Sequence, residues 1–311
     1  MLMREALLCM VIIGFWGITT MAGAQGDLRF FYERTTYLDH LNNPGDWWAN
    51  PAQCALVESG QLFIGNVSPV GGRFTLAGAR FISPVNELVY AGVGLSGTAS
   101  FQSGSFNIET DNAQYKSDFA FFAPALQLAV AMKPANLGAL GALLIVTTDH
   151  SPTIATTAIY TPSLGISIGY LTPRFADVLM LSASTYSLCH LTQTISWDHS
   201  LKCGVSIQSP DSILGCTIEA AAPVSQRDWL NYYVVNGLIA VRIYKGYGAI
   251  LGLSTDQTKL LYSNDINIHI GAKAYSSPDW PYFGSYEVAI NPALRILHRF
   301  TAGYNFGSQK K

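Results

Sequence analysis

The sequence predicts an all-β fold: a transmembrane antiparallel β-barrel of about fourteen strands with an N-terminal plug-like segment. Three observations lead to this prediction. Segments of about ten residues that alternate apolar with polar or small residues follow one another from Gln61 onward, the links between them separate into short and long ones, and charged residues make up only 12% of the chain. Strands that meet lipid on one face and a polar interior on the other have this alternation.

Fourteen extended segments are recognised by their alternating faces and by the turn residues between them. In a segment near the C-terminus, Ile266, Ile268 and Ile270 occupy one face, opposite His269 and Lys273. A soluble β-sandwich would show the same pattern with its faces exchanged. The predicted strands span approximately residues 61–68, 72–83, 86–99, 117–133, 137–148, 160–172, 177–188, 201–209, 212–222, 232–245, 247–256, 265–275, 282–291 and 296–306.

The links between the segments favour the barrel over the sandwich. Most even-numbered links are tight, such as Pro84-Val85 and Pro210-Asp211, whereas the odd-numbered ones include the long loops. The first and last odd links are short exceptions. Outer-membrane barrels have short periplasmic turns and longer external loops, and a sandwich has no reason to separate them in this way.

The N-terminus has the features of a cleaved secretory signal. Arg4 supplies the positive charge, residues 6–18 form an apolar run, and Ala22-Gly23-Ala24 forms a small-x-small cleavage site. We therefore expect residues 1–24 to be removed, 25–60 to form a hatch or plug segment, and 61–311 to form the barrel. With the barrel pattern, export predicts the outer membrane of a Gram-negative-type bacterium. An uncleaved anchor helix is the alternative reading of the first segment.

Composition excludes several classes of protein. A net charge of −2 offers no basic surface for nucleic acid, and no later stretch reaches the roughly 18 apolar residues of a membrane helix. Four cysteines follow the signal: Cys54, Cys189, Cys203 and Cys216. Their spacing matches no metal motif, so we expect neither a metal nor a cofactor. An oxidising compartment permits disulfides, and a Cys203–Cys216 bond stays open as an alternative to two small apolar side chains.

The last strand has an alternating aromatic face. Phe300, Ala302, Tyr304 and Phe306 lie on one side, and Gly303 lies on the other. Its position near the C-terminus of an exported chain resembles the closing strand, and assembly signal, of bacterial outer-membrane barrels. Here the short segment 307–311 follows the terminal aromatic residue.

A tripeptide before the first strand carries a more specific resemblance. Asn50-Pro51-Ala52 follows the pair Trp47-Trp48 and precedes the first strand by about ten residues. It resembles the Asn-Pro-Ala element of the FadL-like superfamily of outer-membrane proteins, which includes PorV-like barrels. In that resemblance the N-terminal segment packs as a hatch within a fourteen-stranded barrel. An ordinary turn in a periplasmic tail is the alternative, since Asn-Pro is a common turn former.

The resemblance implies a function, with one alternative. A FadL-like barrel would pass hydrophobic small molecules across the outer membrane, past apolar pockets beside the hatch, as a monomer surrounded by outer-membrane lipid. A PorV-like barrel would conduct nothing and would hold secretion-system proteins at the membrane. The Asn-Pro-Ala element is common to both, so it does not separate them.

Polar residues on the inward face are the second set of candidate site residues, because they line the path through a barrel. No catalytic site is predicted: the stretch around Ser96 lacks the G-x-S-x-G pattern, and no histidines have metal-ligand spacing. A nucleophile, histidine and acid gathered from separate strands stay open as an alternative. The predicted lumen-facing residues are Gln208, Asn236, Arg242, Asn267, His269 and Lys273.

Overall fold

The computed structural model describes most of the region from residue 50 to residue 306, and the account below is limited to those residues. They are residues 50–69, 74–100, 109–110, 113–114, 122–151, 159–190, 196–209, 213–223, 234–244, 246–256, 265–276, 280–291 and 295–306. Trp47 and Trp48 of the predicted hatch, and the predicted signal peptide, lie outside this part of the chain.

Fourteen strands form a closed antiparallel barrel, as the sequence predicted. Each pairs with its neighbours along the chain, and the first strand pairs with the last, Gln61 opposite Asn305, so the barrel has no free edge. A separate two-stranded ladder joins β4 and β5. The strands are β1 (Gln61–Pro69), β2 (Phe74–Pro84), β3 (Val89–Ser100), β4 (Glu109–Thr110), β5 (Ala113–Gln114), β6 (Phe122–Met132), β7 (Ala139–Ser151), β8 (Ile159–Leu171), β9 (Leu179–His190), β10 (Ser196–Gln208), β11 (Leu214–Pro223), β12 (Val234–Tyr244), β13 (Tyr247–Asp256), β14 (Asp265–Ala274), β15 (Tyr282–Asn291) and β16 (Arg295–Asn305).

Strand bounds depart most from the sequence prediction at β10. The predicted strand began at residue 201, whereas the observed one begins at Ser196, which pairs with His190 of β9. Residues 196–200, Ser-Trp-Asp-His-Ser, were assigned to a loop because they show no continuous alternation of apolar and polar residues. Backbone pairing extends the strand regardless, because a ladder hydrogen bond does not depend on the side chain.

The two faces of the barrel differ as predicted. On β14, Ile268 and Ile270 are 41% and 54% exposed, whereas His269 between them is 1% exposed. On β11, Ile218 points outward and Glu219 is buried inside. The outer surface is therefore an apolar band suited to lipid, and ionisable side chains such as Glu219 and His269 lie within the barrel.

An aromatic row crosses the seam where the first and last strands meet. Edge-to-face ring pairs join Trp280 to Tyr282, Tyr282 to Tyr304, Tyr304 to Phe306, and Phe306 to Phe81. Trp280, Tyr282 and Phe306 are more than half exposed. The row lies at the short-turn rim of the outer surface, where aromatic girdles occur in membrane barrels.

The four cysteines that the structure describes, Cys54, Cys189, Cys203 and Cys216, are free. Cys203 stands opposite Ala220, and Cys216 stands opposite Ile207, so the two cysteines are four positions apart along the ladder. At about 3.3 Å per residue this offset exceeds the reach of a disulfide. The Cys203–Cys216 bond considered from the sequence is therefore wrong, and both residues belong to the outward faces of their strands.

Candidate functional site: the hatch helix and the lumen wall

A short 3-10 helix, Pro51–Leu56, lies inside the barrel, and we call it the hatch helix. Its N-cap is Asn50, whose side-chain oxygen accepts a hydrogen bond from the Ala52 backbone N–H at 3.0 Å. Pro51 fills the first helical position, where no N–H is needed. The Asn-Pro pair therefore starts a helix and does more than form a loose turn. Within the described residues no helix is both long and apolar enough to cross a membrane.

Asn50 also fastens the hatch helix to the barrel wall. Its side-chain Nδ2 donates hydrogen bonds to the backbone oxygens of Tyr170, at 3.1 Å, and Ala183, at 3.3 Å. These residues pair with each other across β8 and β9. Asn50 itself is 3% exposed. Both ends of its amide are thus satisfied inside the barrel, one by the helix and the other by the wall.

Two inward-facing glycines make room for this contact. A Cβ on Gly169 of β8 would lie 1.9 Å from Asn50 Oδ1, and a Cβ on Gly141 of β7 would lie 2.3 Å from the Ala52 backbone nitrogen. Neither distance is sterically tolerable, so any larger residue would push the hatch helix away. We call Gly141 and Gly169 the glycine seat.

The hatch helix fills an apolar half of the lumen. It contacts β2, β3, β6, β7 and β8, and its residues Ala52, Cys54 and Ala55 are at most 1% exposed. Burial raises the pKa of the Cys54 thiol, although the nearby Arg80 charge partly opposes this. The wall residues in the same buried cluster are Phe63, Ile82, Tyr90, Ala125, Ala129, Ala131, Ala139, Leu143, Ile145, Leu171 and Met180.

Ion pairs lie on other strands of the wall. Lys202 Nζ is 2.8 Å from Glu219 Oε2, between β10 and β11, close enough for an ion pair although without hydrogen-bond geometry. His269 Nδ1 is 2.7 Å from Glu287 Oε1, between β14 and β15. All four side chains are nearly buried. The inner surface therefore has an apolar part around the hatch helix and a separate polar part.

A second basic group lies on β12 and β14 near their short-turn ends. Arg242 and Lys273 both stand over the Tyr275 ring, at 5.0 and 5.4 Å from its centroid. Such cation–π contacts help to hold the two positive charges in place. In the described part of the chain, no group of three or more His, Cys, Asp or Glu side chains is placed to hold a metal.

The structure brings only some of the sequence-predicted residues together. Asn50, Pro51 and Ala52 meet in the hatch helix, whereas the six predicted lumen residues spread over β10, β12 and β14. Gln208, Arg242, His269 and Lys273 lie on the inward faces; Asn236 and Asn267 occupy the corresponding register positions. These six do not form one cluster.

Several site residues were missed from the sequence: Gly141, Gly169, Gln53, Glu219 and Glu287. Gly169 belongs to a face of small residues on β8, Ser163-x-Gly165-x-Ser167-x-Gly169, and that face was visible as an alternating pattern. The sequence did not show what this face is for, because a run of small residues does not indicate which segment packs against it. The acidic partners carried no local signal.

Comparison with known proteins places the fold. No protein-family model matches the sequence, and no curated protein matches it. Several solved structures are similar to it. The toluene transporter TodX of P. putida has a TM-score of 0.51 at 12% identity, over 83% of this chain and 93% of that one. The Ralstonia pickettii toluene transporter TbuX has a TM-score of 0.55 at 11% identity, over 85% and 94%.

A FadL homologue of Pseudomonas aeruginosa gives a TM-score of 0.50 at 13% identity, over 85% of this chain and 94% of that one. The chain has the fold of the FadL-type outer-membrane barrels. The fold resemblance suggested by Asn50-Pro51-Ala52 and the strand pattern is confirmed at that level. At these identities the similarity establishes the fold, and the chemistry of the lumen has to be argued from the residues of this chain.

Proposed function

We propose that this protein passes small hydrophobic molecules across the outer membrane, with the hatch segment controlling the path. The observation that carries the proposal is the apolar half of the lumen. Water-filled barrels have polar interiors, whereas here eleven apolar wall residues pack around the hatch helix. The neighbours TodX and TbuX are toluene transporters, which agrees with an apolar cargo.

The contacts of the hatch helix suggest how passage is controlled. Wall side chains alone cannot fill a fourteen-strand barrel, and the hatch helix occupies the space beside β6, β7 and β8. Among the described residues, the Asn50 hydrogen bonds and apolar packing hold it there. A hydrophobic molecule that competes for the apolar wall would displace the helix and then pass.

Uptake by cells tests the proposal. The full-length gene is expressed in a Gram-negative host that lacks its own FadL-type channel, and uptake of radiolabelled toluene and p-xylene is measured against an empty vector and a general porin. We expect faster uptake than with either control. Equal uptake in cells whose outer membrane contains folded barrel, checked by heat-modifiable gel mobility, would refute the proposal.

The PorV-like alternative makes a different prediction. A scaffold barrel would leave uptake unchanged and would copurify with secretion components after mild crosslinking in its native host. The ion pairs and the apolar cluster described above give no observation that favours this role. The two experiments together separate the classes, because each gives a positive result for only one of them.

A further inference from the structure

One polar side chain of the hatch helix, that of Gln53, is buried beside apolar residues. Gln53 is 0% exposed, and within the described structure neither its Nε2 nor its Oε1 has a hydrogen-bond partner. Its neighbours in the helix, Ala52 and Cys54, belong to the apolar cluster that fills this half of the lumen. In the part of the chain that the structure describes, a complete amide is therefore buried beside apolar side chains without a hydrogen-bond partner.

Other buried amides in the lumen are better satisfied. Asn50, three residues earlier, uses both ends of its side chain. Gln127 of β6 is also 0% exposed, but it has an interaction partner within the protein. Since buried polar groups are nearly always hydrogen-bonded, an amide with both ends free calls for a specific explanation.

We propose that the Gln53 amide recognises a single neutral hydrogen-bonding group on an otherwise apolar small molecule, such as the hydroxyl of a phenol or the carbonyl of a ketone. The inference rests on the proposed function and names its substrate class. An amide both donates and accepts, so its Nε2 can donate to a carbonyl or hydroxyl oxygen and its Oε1 can accept from a hydroxyl. It carries no charge to offset the desolvation of a carboxylate, which selects a neutral group.

This arrangement couples recognition to hatch movement. A ligand shifts a conformational equilibrium only by its different affinity for the two states. A hydrocarbon has no group that can form a hydrogen bond with Gln53, so it acts on the hatch helix through apolar contact alone. A molecule with one hydroxyl also satisfies the orphaned amide, and so it favours the hatch position in which the two groups meet.

The test uses p-cresol and p-xylene, which have nearly the same shape and differ by a hydroxyl in place of a methyl group. Binding of each radiolabelled compound to the purified full-length barrel is measured by equilibrium dialysis and corrected for partitioning into empty detergent micelles. For the wild type we expect p-cresol to bind about tenfold more tightly than p-xylene, the effect of one added buried hydrogen bond.

The variant Gln53→Met keeps the side-chain length and removes the amide. It should reduce the preference to about onefold while changing p-xylene affinity less than about twofold. The matched control, Gln127→Met, removes a buried amide that already has a partner and should keep the preference. Heat-modifiable mobility confirms that each variant is folded.

The outcomes separate this inference from the function on which it rests. A wild type that binds both compounds equally, or a preference that survives Gln53→Met, overturns the role of Gln53. A preference lost equally in both variants also overturns it, because the effect would then belong to any lumenal amide. Failure of the wild type to bind or take up p-xylene at all would overturn the proposed function.

Discussion

The glycine seat offers the sharpest test of how the hatch helix is held. In Gly169→Ala, the new methyl group would lie 1.9 Å from Asn50 Oδ1 and 2.8 Å from Pro51 Cδ. Because both hatch atoms are part of a capped turn, the helix has to move away as a unit. Asn50 then loses its hydrogen bonds to the backbone oxygens of Tyr170 and Ala183, whereas its cap on the Ala52 N–H moves with the helix.

The size of the effect follows from those bonds. Each contributes about 1 kcal/mol net, so losing both weakens the seating of the hatch by about 2 kcal/mol. At about 1.4 kcal/mol per factor of ten, the population with a displaced hatch rises roughly 30-fold. The strands keep all of their own ladder bonds, so the barrel should still fold.

Single-channel conductance in planar bilayers measures the change, with heat-modifiable mobility as the check on folding. The matched control is Gly215→Ala: Gly215 also lies on an inward face, but its nearest contact for a Cβ is 4.0 Å away. We expect a higher conductance for Gly169→Ala than for the wild type, and a conductance equal to that of the wild type for Gly215→Ala. Unchanged conductance in folded Gly169→Ala, or an equal rise in both variants, would refute the seat.

Three further predictions follow from the lipid face, the buried thiol and the ion pairs. Ile268→Arg places a cation on the outward face of β14 and should destabilise the assembled barrel by about 2–4 kcal/mol, seen as poor assembly. Asn267→Arg, on the opposite face of the strand, should assemble better. The reverse order would mean that the assigned register is wrong. With the other cysteines replaced by serine, Cys54 should react slowly with a maleimide at neutral pH, since burial raises the pKa of its thiol and keeps it protonated. Displacing the hatch by Gly169→Ala should accelerate the reaction. Equal reaction rates with and without Gly169→Ala would contradict a buried Cys54. Lys202→Met removes the cation that lies 2.8 Å from Glu219 and should lower stability to heat in detergent by about 3–5 kcal/mol. Most of this loss should be restored by adding Glu219→Gln. A single variant as stable as the wild type would show that the pair does not matter.

The amino-acid sequence by itself determined the architecture. The side-chain period of a strand is two residues, so the apolar and polar faces of β14 or β11 can be read within ten residues of chain. Turn residues mark the ends, and the separation of short and long links favours a barrel with two different rims. For the same local reason, Asn50-Pro51 indicated a turn before the first strand, and the structure shows that this turn starts the hatch helix.

Only the tertiary structure decided the contents of the lumen. Asn50 meets Ala183 across 133 positions of the chain, and Gly169 is recognisable as a seat only once the hatch helix lies against it. Lys202 was on the inward face from the sequence, but its partner Glu219 depended on the register of two strands. Gln53 looked like an ordinary residue after a turn, because a missing hydrogen bond is a property of everything packed around a side chain. Closing the barrel brings distant segments together, and no local pattern records which of them meet.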